Sequence, residues 1–415
     1  MPWLPATAFL HSVMIQEKRN MLRTWNLLLI GLTYTLCLFG TFLTRSGVVQ
    51  SVHAFAQTPL FTSIFLGYVL ATAALFLAVL FARRGELRSS NQIESMVSRE
   101  ASFLLNNWVL IAILVVVFWG TIFPVFSEAL TGNRIAPGPK FFNFVNGPLA
   151  LFLLFLTGVG PLIAWRRATP ASLRKQFVWP GAIGIATALA VVFSVERATP
   201  YAIAAWALGA FVTASIAQEY GRAIRARSRH GEGVLSALAT LLRRNQQRYG
   251  GYIVHIGVVF VLVGTAGSVL NEERLENVEP GSRIAFGGYD LEYLTAQALP
   301  AQHYGGAVAR LALYRDGEPL ALMLPEKRMY WLEQQPASVP SVYSTLREDL
   351  YVILTAIEAD GSATFKLHRN PLVNWIWLGG AVFVLGTLAV MWPHPEPARR
   401  EARSAAALAA QPHRA

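Results

Sequence analysis

Apolar residues in this chain gather into long runs broken by short polar stretches, and the runs predict most of the architecture. Nine stand out: residues 2–16, 24–43, 58–82, 102–124, 144–165, 178–195, 200–219, 250–270 and 373–392. A helical bilayer crossing takes about 20 apolar residues, so the first run is short and the others suffice. Between the seventh and eighth runs, Val234, Leu235, Leu238, Leu241 and Leu242 recur at helical spacing inside a basic segment, 220–249. That pattern predicts an amphipathic helix lying on the membrane surface, in preference to a helix that docks a partner.

The pattern changes at 271–371, the one sizeable polar region. Alternation in Ala307-Val-Ala-Arg-Leu-Ala-Leu-Tyr314, followed by Asp316-Gly317, predicts a strand entering a tight hairpin. Tyr351-Val-Ile-Leu-Thr-Ala-Ile357, Asp360-Gly361 and Thr364-Phe-Lys-Leu367 repeat it. The expected fold is a polytopic α-helical membrane protein of about nine transmembrane helices with one small external all-β domain. Residues 1–270 form the helical region, 271–371 the β domain, 372–392 the last crossing, and 393–415 a disordered tail. Pro371-Leu-Val-Asn-Trp-Ile-Trp377 places tryptophans where the last run enters the membrane.

Composition agrees: of 415 residues 54% are hydrophobic and 14% charged, and mean hydropathy is +0.41. The net charge of +11 first suggests a nucleic-acid ligand, but its distribution argues against one. Of the 35 Lys and Arg, 22 lie at 18–23, 83–99, 166–175, 222–248 and 399–414, in alternate connections and the tail. This is the positive-inside bias, which puts those segments in the cytoplasm and both loop 44–57 and the β domain outside. Cys37 is the only cysteine and lies in an apolar run, so neither a disulfide framework nor CxxC chemistry is expected. Met1-Pro2-Trp3-Leu4 has no basic leader, and no cleaved signal peptide is expected.

Eight histidines remain as candidate chemistry. His230, His394 and His413 fall in basic or terminal segments and His303 and His368 in the β domain, where solvated roles suffice. His11 and His255 lie within apolar runs, and an imidazole in hydrocarbon needs partners, which makes both functional candidates. His11 is seven residues before Lys18 and His255 seven after Arg248, so each sits about 10 Å inside the basic boundary at 1.5 Å per residue. Two histidines at one depth can sandwich a b-type haem, and each can equally hydrogen-bond a neighbouring helix. Gly250, Gly251, Gly257, Gly264 and Gly267 around His255 allow close approach of a backbone or of a flat ligand. His53, in the external loop with Phe55, could ligate a second haem at the outer surface.

Several stretches resemble the CcmF family, the haem lyase component of bacterial cytochrome c maturation, and more distantly the wider haem-handling assembly family that includes NrfE and CcsA. They are Met1-Pro-Trp-Leu4 with Thr7-Ala-Phe-Leu-His-Ser12, Gly40-Thr-Phe-Leu-Thr-Arg-Ser-Gly47 with Ser51-Val-His-Ala-Phe-Ala56, Ser98-Arg-Glu100 and Leu105-Asn-Asn107. Further on come Gly158-Val-Gly-Pro-Leu162, His255-Ile-Gly257, Glu326-Lys-Arg328, Arg347-Glu-Asp-Leu-Tyr351 and Trp375-Ile-Trp377. The resemblance implies that His11 and His255 carry a stable transmembrane haem b and that His53 is the second of two external histidines holding incoming substrate haem. It implies thioether attachment of that haem to the CxxCH motif of apocytochrome c, with haem delivered by the chaperone CcmE and apocytochrome presented with CcmH. Quinol is a candidate partner with the electron donor left open, and the implied location is the bacterial inner membrane, with the β domain in the periplasm. The family's Trp-rich motif and first external histidine would precede Met1. The chain is therefore expected to correspond to the C-terminal part, as a split-gene product, a fragment or a miscalled start, with that motif carried either by a separate N-terminal CcmF chain or by upstream sequence. Two rival functions stay open: a quinol-linked transmembrane haem reductase, which would make no thioether product, and a non-enzymatic haem exporter, which would need no apocytochrome.

Overall fold

The computed structural model describes residues 1–48, 59–89, 91, 93–165, 168–332 and 334–393. The chain forms two compact units, Met1–Ser215 and Ile216–Ala415. The first contains α1 (Trp3–Arg19), α2 (Arg23–Ser46), α3 (Pro59–Ala82), α4 (Arg99–Thr131), α5 (Pro139–Val159), α6 (Pro170–Ser194) and most of α7 (Pro200–Ser228). The second contains the end of α7, then α8 (Val234–Arg244), α9 (Gln246–Ala266), ten β-strands and α10 (Asn374–Met391).

Each of the nine apolar runs forms a helix, and eight of these, α2 to α7, α9 and α10, are long and apolar enough to cross a membrane. Helix α1 has 17 residues, about 26 Å at 1.5 Å per residue, short of a hydrocarbon core of about 30 Å. Several helices outrun their apolar stretches, α6 by eight residues at its start and α4 and α7 at their ends. Helix α4 continues to Thr131 and stops where Gly132 takes φ 71°, a left-handed cap that glycine adopts without strain. Helix α7 runs on through Glu219 and the Arg-rich residues to Ser228 because Ala, Glu and Arg favour helix once the membrane is left behind. The basic segment 220–249 is consequently mostly helical. Its amphipathic part is α8, with Ala237 and Leu241 buried and Val234 and Leu235 exposed.

In the first unit α1 packs on α2 and α4, where Ala8, Leu29 and Leu110 meet. Ser98 starts α4 by accepting the Ala101 amide on its hydroxyl at 3.1 Å, as an N-cap should.

The polar region forms two antiparallel sheets. One has the order β1 (Glu272–Val278), β10 (Ala363–Pro371), β9 (Glu348–Ile357), β8 (Ser341–Ser344). The other runs β2 (Arg283–Phe286), β3 (Tyr289–Ala298), β4 (Tyr304–Arg315), β6 (Glu326–Tyr330), β7 (Gln335–Val339), with β5 (Glu318–Met323) pairing β4. Strand alternation sends Tyr289, Leu291, Tyr293, Leu311 and Leu313 from one sheet against Leu350, Val352, Leu354, Phe365 and Leu367 from the other, all 2% exposed or less. The β4–β5 turn takes φ 52° at Asp316 and φ 83° at Gly317, the doubly positive geometry that suits the twist of a two-residue hairpin.

Strands β1 and β10 are paired neighbours, Glu272 opposite Arg369, so the chain enters and leaves the sandwich side by side. Helices α9 and α10 accordingly run antiparallel in close contact, along a glycine seam. Gly250, Gly257 and Gly264 repeat at seven residues on α9 and meet Gly379 and Gly386, also seven apart, and their neighbours on α10. A Cβ on Gly257 would stand 2.6 Å from the Phe383 nitrogen and 2.7 Å from the Gly379 carbonyl oxygen, so backbone rather than side chain fills the interface.

Candidate functional site

His11 lies on α1, half-buried, with Nδ1 2.8 Å from the Thr7 carbonyl oxygen one turn back. A carbonyl only accepts, so the proton of the neutral ring sits on Nδ1 and the lone pair on Nε2. Backbone pinning of one ring nitrogen is what directs the other toward a metal. The Phe103 ring of α4 meets His11 edge-on at 5.9 Å, and Phe103 in turn meets Trp165 at 6.2 Å. Trp165 is flanked by Lys18 at 5.1 Å and Arg99 at 5.0 Å, so aromatic rings lead from the histidine to the basic rim. Arg99 also donates to the carbonyls of Pro161 and Ile163, at 2.6 and 3.0 Å. Arg19 pairs with Glu94 at 2.8 Å and with buried Glu100 at 3.2 Å. Glu100 and Trp165 thus hold the end of α1, and Arg99 joins their two segments through the Pro161 and Ile163 carbonyls.

A buried polar layer accompanies His11. Ser12 is fully buried and lies between two contacts of α1 with α4, Ala8 on Leu110 and Arg19 on Glu100, which sets it level with Asn106 and Asn107. Asn26 of α2, 2% exposed, donates to Gln16 at 2.7 Å. Asn107 is fully buried, and neither its amide nitrogen nor its oxygen has a hydrogen-bond partner among the described residues. Hydropathy alone missed this layer. Its only sequence signal is the Asn106-Asn107 pair inside an otherwise apolar run.

His255 lies half-buried on α9 in the second unit. It precedes Gly257 by two residues, a rotation of about 200° at 100° per residue, so it projects from the face opposite the α10 seam. Of the five glycines around it, Gly250, Gly257, Gly264 and Gly267 are taken up by contact with α10 and the segment leading into it. Only at Gly251, one turn before His255, would a Cβ meet nothing within 4 Å. The glycine-rich character thus serves helix packing, with one open position left beside the histidine. At the basic end of α9 the Tyr220 hydroxyl donates to the Tyr249 carbonyl at 2.7 Å, and Arg248 bridges Glu219 at 2.5 Å and the Tyr252 hydroxyl at 3.1 Å.

His11 and His255 belong to different units, and His53 lies outside the described residues. The entry to its loop is fixed: Thr62 donates to the Ser46 carbonyl at 3.2 Å and Arg134 to that of Val48 at 3.1 Å. His303 and His230 are exposed, and His368 lies 3.5 Å from Glu273 on the sandwich surface. Among the described residues no three His, Cys, Asp or Glu side chains group to hold a metal ion. The donor set at α1, a neutral imidazole with its tautomer fixed, fits an axial ligand of haem iron.

Residues 269–371 match the family model described as the CcmF C-terminal beta-sandwich. The cytochrome c-type biogenesis protein CcmF of Haemophilus influenzae is 33% identical over 398 residues, 94% of this chain and 60% of that protein. CcmF of Pseudomonas fluorescens is 32% identical, over 94% of this chain and 57% of its own length. CycK of Bradyrhizobium diazoefficiens is 31% identical, over 97% and 62%. A solved structure of the cytochrome c heme lyase CcmF superposes with a TM-score of 0.74 at 27% identity, covering 94% of this chain and 58% of that one. The chain is a polytopic helical membrane protein with a β-sandwich set before its last helix. It spans about 60% of the length of the curated relatives it matches. Within that span it is similar to CcmF, a cytochrome c-type biogenesis protein.

Proposed function

We propose that this chain is a haem lyase component of cytochrome c maturation, holding haem while its vinyl groups are joined to the cysteines of a CxxCH motif in apocytochrome c. The observation that carries this reading is its likeness, over 94% of its length, to CcmF of Haemophilus influenzae, a cytochrome c-type biogenesis protein. His11 and His255 are assigned as the axial imidazoles of a membrane haem b, and the Thr7 carbonyl keeps the His11 lone pair on Nε2 for that task. Bound haem supplies one-electron chemistry, and the protein supplies axial ligation and position. His53 is assigned to the substrate haem, which needs a defined orientation for two thioether bonds to form on the correct vinyl groups. The basic helix ends would face the cytoplasm of a bacterial inner membrane and the sandwich the periplasm. Apocytochrome c, the haem chaperone CcmE and CcmH would meet the protein on that side, with quinol as electron donor.

The test is covalent haem in cytochrome c, read by haem staining of denatured protein from cells whose own CcmF is replaced by versions carrying this sequence. His53→Ala should abolish the stained product while leaving the membrane haem in place. Undiminished covalent product in His53→Ala would overturn the assignment. Quinol-dependent haem reduction with no thioether product from the unmutated sequence would favour a reductase instead.

A further inference from the structure

The turn between β8 and β9 is caught by the start of α10 through three consecutive carbonyls. Thr345 oxygen accepts from the Asn374 side chain at 2.6 Å, Leu346 oxygen from the Trp375 indole at 3.2 Å, and Arg347 oxygen from the Leu372 amide at 2.8 Å. Asn374 also donates to Asp349 at 2.5 Å, which ties the first turn of α10 to the start of strand β9. Helix α10 has 18 residues, about 27 Å, against a hydrocarbon core of about 30 Å. It has no length to spare, so its first turn lies at the boundary of the membrane it crosses. The tryptophans agree: Trp375 meets Phe260 of α9 edge-on at 5.1 Å, Trp377 is 72% exposed, and Trp392 marks the other end.

At that level Leu346 is 74% exposed, and Arg347 beside it is exposed too. We propose that the 345–347 turn is a membrane anchor of the β-sandwich, with the Leu346 side chain at the headgroup–acyl boundary of the bilayer that α10 spans and the Arg347 guanidinium on lipid phosphate. An unsatisfied carbonyl is costly where water thins out, and here all three are satisfied, two by α10 and one by Leu372 just before it. The long arginine side chain can bury its stem and return its charge to the headgroups. The sandwich is then held to the membrane surface by the turn as well as by its two connecting helices.

The test uses the full chain with Cys37→Ser, reconstituted in phosphatidylethanolamine–phosphatidylglycerol vesicles, with an environment-sensitive fluorophore on a single cysteine at Leu346→Cys. The reference is Leu332→Cys, 90% exposed after β6. Tyr330 of β6 pairs with Tyr304, the end of β4 opposite Arg315, and Arg315 reaches Glu348 at the start of β9. Leu332 is thus about 35 Å from the turn, the length of β4 at 3.3 Å per residue. The side chain of Leu346 is exposed, so its replacement leaves the fold alone. The Leu346 label should emit to the blue of the Leu332 label, lose roughly twofold more intensity to a lipid-borne nitroxide, and resist aqueous iodide. Equal iodide quenching at the two sites would overturn the proposal. So would protection of Leu346 from both quenchers, which would mean that protein, not lipid, covers the turn.

Discussion

Gly379 and Gly380 are adjacent on α10, yet replacing each by alanine should move stability in opposite directions. A Cβ on Gly379 would lie 2.6 Å from the Gly257 carbonyl oxygen and 2.8 Å from the Val261 nitrogen. Ordinary contact begins near 3.4 Å, so the helices must part by about 0.8 Å, and the obstacle is backbone that cannot rotate away. Overpacking of this kind costs about 1–3 kcal/mol. A Cβ on Gly380 would meet nothing within 4 Å. Either alanine gains about 0.5–1 kcal/mol of helix propensity over glycine. That gain cancels in the comparison, so Gly380→Ala should exceed Gly379→Ala by the steric cost alone, about 1–3 kcal/mol. Thermal or denaturant unfolding of the two variants in one detergent reads the difference. Equal stabilities would refute the glycine seam. A less stable Gly380→Ala would place the α9 contact on the wrong face of α10.

Three further outcomes follow from the structure. Buried Glu348 accepts from Tyr289 at 2.9 Å and pairs with Arg369 at 2.7 Å, so Glu348→Ala should destabilise the sandwich by about 3 kcal/mol in denaturant titrations; a change within error would mean that the network contributes nothing net. Hydrogen bonds from the Ser362 hydroxyl and amide hold the Asp360 carboxyl below its ordinary range. Its contribution is therefore present above the unfolded-state pKa and lost as pH falls through the lower folded-state value, so the stability gap between the native chain and Asp360→Asn should close on acidification and not widen. Ser98→Ala removes the α4 N-cap and should cost about 1 kcal/mol, with Ser98→Asp restoring most of it.

The helices and the two principal hairpins were legible because their signals are local: apolar length, strand alternation, and Asp-Gly at turns needing positive φ. What the glycines of α9 do was not. Their spacing allowed a helix or a flat ligand, and the choice depended on α10, which returns more than 100 residues later. The extensions of α4 and α7 were missed because hydropathy reports where membrane ends, while helix continues as long as propensity permits. Short strands such as β6, β7 and β8 carry too few alternating residues to stand out, and Pro336 weakens β7 further. The clamp at 345–347 uses backbone carbonyls, which leave no mark in a sequence. Of the candidate site, the sequence singled out His11 and His255 by the anomaly of imidazole in apolar runs. The polar layer of Ser12, Asn26 and Asn107 became visible only when three helices were set side by side.

The proposed ligation of a membrane haem by His11 and His255 is read in the visible absorption spectrum of the purified chain, oxidised and reduced, beside His11→Ala and His255→Ala. Ligation predicts a low-spin spectrum that each substitution abolishes or converts, with added imidazole partly restoring it through the cavity left at the iron. Soret and α bands unchanged in both variants would contradict it.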